Sequence, residues 1–443
     1  MTNVSQSTTP IIIQGAEVLL PSGKIAPREV AIADGKITAV GTGLEVTADT
    51  RTIDGTGLTL LPGVIDPQVH FRDPGSEHKE DLHTASRACA RGGVTSFLEM
   101  PNTLPLTTTQ PVLTDKLAIA ASKSLVNYGF FIGATAENLD DLRTANPTCG
   151  IKICMGSAHG PLSVDTAETI EPIFAKGTRL IAVHAEDQAR IMKRRQLFEG
   201  ETDPATCTKV QDNETALNAT KLALSFSKKY QRRLHILHLS TGDEAELLRQ
   251  DKPSWVTAEV TPQHLLLDVS AYEKMGTLAQ INPPLKSPRD RQLLWQALLD
   301  GVIDFIASDH APHTLKEKGK GYPDSPSGMP GVETSLPLML TQAKENRCTV
   351  AQVSNWMSTA VAAAYKIPNK GQIAPGYDAD IVLVDLSTYR PVLREELQTK
   401  CGWSPFEGWT LTGWPVFTIV GGQVVYDHGE MDTNVRGQAL KFG

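Results

Sequence analysis

Between residues 62 and 365 one local pattern recurs: a short β-rich run ends in polar residues and leads into a helical stretch. Eight runs of this kind lie within about 245 residues: 64–70, 95–100, 129–135, 151–154, 180–184, 234–238, 256–260 and 303–308. Alternation of strand and helix over this length is typical of a parallel (β/α)8 barrel. The pattern therefore predicts an α/β fold with a TIM-like barrel formed by residues 62–365.

Both ends of the chain have β character without intervening helices. The predicted strands are 11–13, 17–20, 30–33, 37–40 and 59–61 at the start, and 380–384, 418–420 and 423–426 at the end. Either end alone would make a thin sheet. We therefore expect residues 1–61 and 366–443 to form together one small β-sandwich domain, into which the barrel is inserted.

Composition excludes several classes of protein. The 443 residues carry 42 Lys and Arg against 50 Asp and Glu, a formal charge of −8, which argues against a nucleic-acid partner. The chain has no run of 18 apolar residues, so no membrane span is predicted. Residues 1–10 lack the basic and apolar segments of a secretion signal. Six scattered cysteines without a CxxC pair predict reduced thiols and a cytoplasmic location.

Polar side chains gather at the carboxyl ends of the predicted strands, where barrel active sites are built. Gln68, His70 and Arg72 alternate along the first run, so they should face one cavity. Lys152 lies within the apolar segment 151–155, where an uncompensated ammonium group is costly.

Further candidate ligands follow later strands. His184 ends the fifth run, His238 ends the sixth, and Asp309 follows the eighth. His235 and His238 are three residues apart and should face opposite sides of their strand, so we expect only His238 to reach the cavity. Because imidazole and carboxylate groups are ligands of catalytic zinc, the pattern predicts a metal site.

The order of these residues resembles the amidohydrolase superfamily. The sequence motifs around and between them resemble those of the dihydroorotases, the cyclic amidases of pyrimidine synthesis. The segments that carry this resemblance are 70–75, 100–103, 152–157, 259–262, 282–286, 309–313, 330–334, 375–380 and 404–408.

The resemblance implies a zinc-dependent dihydroorotase that reversibly cyclises N-carbamoyl-L-aspartate to dihydroorotate in de novo pyrimidine (UMP) biosynthesis. It implies that a carboxylated Lys152 bridges two zinc ions. His70 and Asp309 would bind the more buried ion, and His184 and His238 the more exposed one. Asp309 would also take a proton from the nucleophile, a hydroxide between the metals, and pass it to the leaving ring nitrogen.

The resemblance also implies how a small-molecule substrate is held. Arg72, Asn102 and His313 match residues that bind the substrate carboxylate, for which a guanidinium fork is well suited. Asn282 and the backbone around Pro330 and Gly331 match positions that meet the ring amides. We expect His264 to be structural.

Two positions depart from the family pattern. Most members have two histidines at the first strand, whereas Gln68 stands here before His70, and an amide oxygen is a weaker zinc ligand than imidazole. Gln68 is therefore the weakest candidate ligand. One zinc ion, partial occupancy, and two ions with altered coordination all stay open. Lys286 stands where arginine is usual.

Other functions also stay open. A hydantoinase or allantoinase is the alternative enzyme, although such cyclic amidases generally lack the pairing of His70 with Arg72. A catalytically silent homologue that serves a transcarbamoylase as a structural partner is supported by Gln68 alone. The persistence of four other candidate ligands argues against it. The sequence leaves open whether the protein forms a homo-oligomer.

Overall fold

The computed structural model describes residues 9–156 and 160–443. The predicted polar start of the chain, residues 1–8, and Ser157 of the Lys152 motif lie outside this part. The described chain begins with strands only, which are β1 (Ile11–Gln14), β2 (Glu17–Leu19), β3 (Ile25–Pro27), β4 (Glu29–Ala33), β5 (Lys36–Gly41), β6 (Arg51–Asp54) and β7 (Thr59–Pro62).

Strands and helices then alternate. The strands are β8 (Val64–Val69), β9 (Val94–Glu99), β10 (Asn127–Phe130), β11 (Ile132–Gly133), β12 (Ile151–Cys154), β13 (Ile181–His184), β14 (Leu234–Ile236), β15 (Val256–Val260) and β16 (Phe305–Ile306). The helices are α1 (Leu82–Arg91), α2 (Gln110–Lys123), α3 (Leu139–Thr144), α4 (Ala167–Ala175), α5 (Gln188–Leu197), α6 (Thr206–Val210), α7 (Asn213–Tyr230), α8 (Gly242–Asp251), α9 (Pro262–Leu266), α10 (Ala271–Met275), α11 (Pro288–Leu299), α12 (Leu315–Lys318), α13 (Ser335–Lys344), α14 (Val350–Ser354) and α15 (Ala360–Ala364). Short 3-10 turns cover Gly160–Leu162, Gly276–Ala279 and Arg394–Glu396, and a π-helical turn covers Asn355–Thr359.

Strands return at the end of the described chain: β17 (Ile381–Asp385), β18 (Arg390–Pro391), β19 (Thr410–Leu411), β20 (Trp414–Val420), β21 (Gln423–Asp427) and β22 (Glu430–Met431). No helix of the described residues is both long enough and apolar enough to cross a membrane.

The alternating segment forms parallel sheets in chain order. One sheet has the order β10-β9-β8 and the other the order β11-β12-β13-β14-β15-β16. The third predicted strand is interrupted at Phe131, so β10 and β11 fall in different sheets. Past β16, His310 pairs in parallel with Val69 of β8, and the amide of His70 donates to the carbonyl of His310 at 2.8 Å. The predicted α/β fold with a parallel sheet is confirmed.

Caps at the helix starts limit how far each strand-to-helix loop extends beyond a strand. The Asp187 side chain accepts from the backbone of Arg190 at 3.0 Å and begins α5 three residues after β13 ends. Thr241 and Glu244 form a reciprocal capping box at the start of α8. Such caps supply partners for the free amides of a first helical turn. The loops that follow β13 and β14, next to His184 and His238, are therefore short and anchored, whereas the loop after β8 that carries His70 and Arg72 is longer.

Strands from both chain ends meet in one sheet. The order of this seven-stranded sheet is β22-β21-β20-β17-β7-β2-β3, and Leu60 of β7 lies opposite Leu383 of β17. A four-stranded sheet, β5-β4-β1-β6, contributes Ile13 and Ile32 to the same buried aliphatic cluster as Leu383. The strands β3, β6, β18, β19 and β22 were not predicted, because they are short and largely exposed and carry little apolar alternation.

Asp380 connects this seven-stranded sheet to the parallel strands. Its buried carboxylate accepts two hydrogen bonds of 3.1 Å from the Asn127 amide on β10 and one of 2.7 Å from the Gly421 backbone. It also forms an ion pair with the largely buried Lys370. Loss of this carboxylate would leave the buried Asn127 amide without its main acceptor, and Lys370 with Asp378 as its remaining ion-pair partner.

We predict that Asp380→Ala lowers the free energy of unfolding by about 1–3 kcal/mol, the usual cost of leaving a buried hydrogen-bonding group without its partner. Denaturant unfolding of both proteins measures the difference. The control is Asp115→Ala on the exposed face of α2, which should change stability by less than about 0.5 kcal/mol. Equal effects of the two substitutions would contradict this role for Asp380.

Candidate active site

A cavity of about 460 Å³ opens at the carboxyl ends of the parallel strands. The residues that line it are Gln68, His70, Arg72, Asn102, Leu106, Lys152, Cys154, Gly156, Leu162, His184, His238, Asn282, Asp309, Ala311, His313, Pro326, Ser327 and Gly328. Every site residue expected from the sequence is among them except Pro330 and Gly331. The structure therefore brings together residues that lie up to 245 positions apart in the chain.

Gln68 and His70 converge on Asp309. The Gln68 Nε2 donates to Asp309 Oδ1 at 3.1 Å, and His70 Nε2 lies 3.3 Å from the same oxygen. His70 Nδ1 donates to Asn102 Oδ1 at 2.8 Å, which leaves the lone pair of Nε2 facing the carboxylate. Strand β8 ends at Val69 and Arg72 has φ +65°, so the expected extended alternation does not reach Arg72, although all three side chains line the cavity.

Lys152 lies in the cavity wall with only 5% of its surface exposed. Its ammonium group has no ion pair or hydrogen bond with any residue that the structure describes. Burial lowers the pKa of this lysine, because a charged group loses its hydration there. A lowered pKa increases the fraction of neutral amine, which is the form that reacts with carbon dioxide to give a carbamate.

His184 and His238 form a second pair. His184 Nδ1 lies 3.0 Å from His238 Nε2, and His184 Nε2 lies 2.9 Å from Glu186 Oε2. Burial, followed by the nearby His184 and Lys152, holds the pKa of His238 well below its usual range, so this ring is neutral. A neutral imidazole nitrogen is the form that binds a metal ion.

The donor set is suited to a metal ion only with the help of Lys152. Within residues 9–156 and 160–443, no three His, Cys, Asp or Glu side chains form a metal-binding group by themselves. The two pairs His184–His238 and His70–Asp309 instead line the same cavity as Lys152. A carbamate on this lysine would give each pair a further oxygen ligand, and the buried Oε1 of Gln68 has no hydrogen-bond partner in the described structure. The residues therefore fit metal binding.

His235 faces away from this cavity, as expected. Its ring is fully buried, lies 2.9 Å from Glu259 Oε2 and stacks on Phe305. Strand β14 ends at Ile236, and His238 has φ +33°. His238 therefore reaches the cavity through a turn after the strand, not through strand alternation.

Arg72 and His313 form a polar group beside the metal-binding candidates. Arg72 Nε donates to the Pro312 carbonyl at 3.3 Å, and its Nη2 lies 3.4 Å from His313 Nε2. Burial, followed by the charges of Arg72 and Lys79, lowers the pKa of His313 to about 2. The ring is therefore neutral, accepting from Lys79 Nζ at 3.1 Å and donating to the Ser327 carbonyl at 3.1 Å. The positive charge of Arg72 remains available to an anion.

Asn282 is held from outside the cavity. The Gln211 amide donates to its Oδ1, and Lys286 Nζ donates to the backbone carbonyl of Gln211. His264 lies 2.9 Å from Thr261 Oγ1 through Nδ1 and donates from Nε2 to the Pro283 carbonyl at 3.0 Å. His264 therefore supports the backbone next to Asn282 without lining the cavity, in keeping with a structural role.

Pro330 and Gly331, expected to meet the ring amides, do not line the main cavity in this structure. These two residues border a small separate cleft with His310, whose Nδ1 accepts from the Gly331 amide at 3.1 Å. The wall of the main cavity is formed instead by Pro326, Ser327 and Gly328.

Two functional contributors were missed by sequence reasoning. Lys318 is fully buried and donates to the carbonyls of Gln280, Pro326 and Gly328 at 2.9–3.2 Å, which fixes the wall formed by residues 326–328. No local sequence signal marks it, because its partners are backbone groups. Glu186 contacts His184 and could have been identified from its alternate spacing, His184-Ala185-Glu186.

His264 generates a prediction about pH and stability. Burial lowers its pKa to about 4, whereas an unfolded histidine titrates near 6.5. As the pH falls, the unfolded chain binds this proton before the folded chain does. His264 therefore lowers the free energy of unfolding by about 2 kcal/mol between pH 7 and pH 5. We predict that His264→Gln reduces the stability lost over this range by about that amount, measured by denaturant unfolding at both pH values.

The exposed His428 provides the control for this experiment. His428→Gln should leave the pH dependence of unfolding as it is in the unmodified protein. The same pH dependence in His264→Gln as in the unmodified protein would contradict the neutral, buried state of His264.

Comparisons with known proteins agree with this geometry. Residues 59–425 match the model of the amidohydrolase family. A dihydroorotase from Methanosarcina mazei is 35% identical over 420 residues, covering 91% of this chain and 92% of the relative. A dihydroorotase from Listeria monocytogenes is 32% identical over 430 residues, covering 95% of this chain and 99% of the relative.

Solved structures of related enzymes share the fold. The L-hydantoinase (dihydropyrimidinase) from Arthrobacter aurescens superposes with a TM-score of 0.92 at 29% identity, covering 97% of this chain and 99% of that one. A dihydropyrimidinase from Brevibacillus agri gives a TM-score of 0.91 at 26% identity, covering 98% and 99%. With its family match spanning most of the sequence, this chain belongs to the amidohydrolase family.

Proposed function

We propose that this protein is a zinc-dependent dihydroorotase that reversibly cyclises N-carbamoyl-L-aspartate to dihydroorotate in de novo pyrimidine (UMP) biosynthesis. The observation that carries the proposal is the position of Arg72, Asn102 and His313 in the same cavity as Lys152 and the two ligand pairs. This arrangement provides a carboxylate-binding group next to a hydrolytic centre. Curated relatives that bear the name dihydroorotase support the same activity.

His70, Asp309, His184 and His238 would hold the zinc, together with Lys152 in its carboxylated form. The pairing of these residues, and the absence of any anionic partner for Lys152 in the described structure, support this assignment. When bound, zinc lowers the pKa of water to about 7 and polarises the scissile carbonyl. Gln68 holds Asp309 through its Nε2 and offers only an amide oxygen, so a site with one zinc ion and a site with two both remain within the proposal.

Asp309 is the proton carrier of the reaction. Its Oδ1 is oriented by the Gln68 amide and lies next to His70, so the carboxylate is held in place inside the cavity. In the direction of ring opening, Asp309 takes a proton from the attacking water and delivers it to the leaving ring nitrogen. In the direction of ring closure, the same carboxylate removes the proton from the ureido nitrogen as it attacks the carboxyl carbon, and passes that proton to the departing oxygen, which leaves as water.

Substrate is held by charge and by amide contacts. The guanidinium of Arg72 binds the substrate carboxylate, aided by the Asn102 amide and the neutral His313 ring. Asn282, fixed by Gln211, meets the ring amides opposite the carboxylate. We include the backbone of Pro330 and Gly331 only as a contact that would require movement from the cleft they occupy here.

The proposal includes the architecture that carries the site. The parallel strands β8–β16 form one (β/α)8 TIM-like barrel of residues 62–365, supported by the pairing of Val69 with His310. Residues 1–61 and 366–443 form the β-sandwich domain, supported by the sheet that β7 and β17 share. The six free thiols support a cytoplasmic location. The binding partner of the proposed enzyme is a small-molecule substrate. Assembly into a homo-oligomer is compatible with the proposal.

A hydantoinase is the second candidate, favoured by the similarity to solved hydantoinase structures. Hydantoin and dihydropyrimidine rings without a carboxylate would leave Arg72 unpaired in the cavity. The decisive experiment supplies the purified protein with zinc and bicarbonate and measures turnover of dihydroorotate, N-carbamoyl-L-aspartate, hydantoin, dihydrouracil and allantoin. We expect turnover of the first two. Turnover of the others alone would overturn the proposal, and none at all, with no bound zinc, would indicate a silent homologue.

Replacement of Asp309 tests the proton carrier. We predict that Asp309→Ala lowers kcat by about 10²-fold to 10⁴-fold or more, the usual contribution of a positioned acid or base. Steady-state assays accompanied by metal analysis separate loss of the proton carrier from loss of zinc. The exposed Asp115→Ala serves as the control and should keep full activity. An Asp309→Ala protein that retains its kcat would exclude this role.

Replacement of Arg72 tests the carboxylate site. We predict that Arg72→Met raises KM for dihydroorotate by roughly 10-fold to 150-fold, because a charge-assisted hydrogen bond worth about 1.5–3 kcal/mol is lost. The exposed Arg289→Met, which removes the same charge elsewhere, should leave KM as it is. An unchanged KM in Arg72→Met would remove Arg72 from the carboxylate site.

A further inference from the structure

A second large cavity lies at the opposite end of the parallel strands. Its volume is about 490 Å³, close to that of the candidate active site. It is lined by residues of the segments that lead into β12, β13 and β14, together with Phe442 and Gly443: Leu142, Arg143, Thr144, Asn146, Pro147, Thr148, Gly177, Thr178, Arg179 and Arg232. We call this cavity the arginine cleft after Arg143, Arg179 and Arg232.

Arg232 is the central observation. Its side chain is only 3% exposed, and its Nη1 donates to the Lys176 carbonyl at 2.9 Å. Its buried Nε has no hydrogen-bond partner, and no carboxylate of the described residues forms an ion pair with it. A buried guanidinium is normally paired, because removing its charge from water is costly.

Arg179 adds a second positive charge without a partner. It is half-buried and likewise forms no ion pair within the described structure. Burial, and then the charge of Arg179, lower the pKa of Arg232 to about 10. Two arginines thus repel each other where the lining contains no Asp or Glu, and the terminal carboxylate of Gly443 lies beyond ion-pair distance of both.

Arg143 borders the same space. A Cβ atom placed on Gly177 would lie 3.3 Å from Arg232 Nη1 and 3.7 Å from Arg143 Cγ, so the two side chains flank one point of the cleft. The Arg143 guanidinium contacts Asp140, but both groups of this pair are largely exposed to solvent. An exposed pair of this kind is weak, which leaves Arg143 able to bind another anion.

We propose that the arginine cleft is a binding site for a small phosphate-bearing anion. Guanidinium groups bind phosphate oxygens through two parallel hydrogen bonds, and a phosphate would neutralise the charges of Arg179 and Arg232 together. The hydroxyl groups of Thr144 and Thr178 add donors in the same lining. The apolar wall of Leu142, Pro147 and Phe442 suits an organic portion, and the volume is within the usual range for small-molecule sites.

This site is separate from the proposed catalytic centre and does not depend on its activity. Arg143, Arg179 and Arg232 each precede a strand, and the candidate zinc ligands Lys152, His184 and His238 lie within or after those same strands. The two cavities therefore lie at opposite ends of the strands. Binding at the arginine cleft is therefore measurable whichever ring the active site hydrolyses.

Titration calorimetry of the full chain tests the proposal with inorganic phosphate and with adenosine 5′-monophosphate. We expect one site per chain, and tighter binding of the nucleotide if the apolar wall contacts its organic portion. Arg179→Met should weaken binding at least tenfold, and Arg143→Met should weaken it to a smaller extent. The control Arg289→Met removes one exposed positive charge elsewhere and should leave the affinity unchanged.

Two further measurements distinguish this site from the active site and from a folding defect. Arg72→Met should keep the binding, because Arg72 lines the other cavity. Phosphate should raise the unfolding temperature of the unmodified protein but not that of Arg179→Met, which without ligand should unfold at the same or a higher temperature because the repulsion is gone. Absence of binding at about 10 mM ligand, or loss of binding in Arg72→Met with retention in Arg179→Met, would overturn the proposal.

Discussion

The candidate active site depends on the burial of one amine, that of Lys152. The fourth predicted strand carries this lysine into a cavity wall where no residue of the described chain provides an anionic partner. A buried cation without a partner is unstable, so the group must lose its proton or be modified. The proposed carbamate would satisfy both needs, since it forms from the neutral amine and would supply anionic oxygens next to the pairs His70–Asp309 and His184–His238.

Parallel strands make this arrangement possible. Because all of them run in one direction, the residues that follow their carboxyl ends meet in a single cavity, and the capped helices α5 and α8 keep the loops after β13 and β14 short. Gln68 fits into this arrangement without disrupting it, because its amide donates to Asp309 and orients the carboxylate. The departure from histidine therefore removes one strong candidate ligand at this position, while the Gln68 amide still orients Asp309, the proposed proton carrier.

The positively charged side chains at the two ends of the same strands differ in whether they have partners. At the carboxyl ends, positive groups such as Lys79 have carboxylate or ring partners, and Arg72 points into a cavity that suits an anionic substrate. At the amino ends, Arg179 and Arg232 are brought together without such partners in the described structure. In a chain with a formal charge of −8, both cavities are local regions of positive charge. We propose an anion as the ligand of each, which would be bound by local contacts against the net negative charge of the chain.

The sequence by itself determined the strand-helix alternation and identified polar residues of the main cavity such as His70, Lys152 and Asp309, because apolar runs and the polar residues at their ends are local features. It did not determine how those residues reach the cavity: Arg72 and His238 do so through residues of positive φ after their strands end. Only the tertiary structure placed Pro330 and Gly331 in a separate cleft, let Lys318 hold three carbonyl groups, and gathered Arg143, Arg179 and Arg232. These outcomes depend on contacts between backbone groups and side chains distant in the chain, which no local pattern encodes.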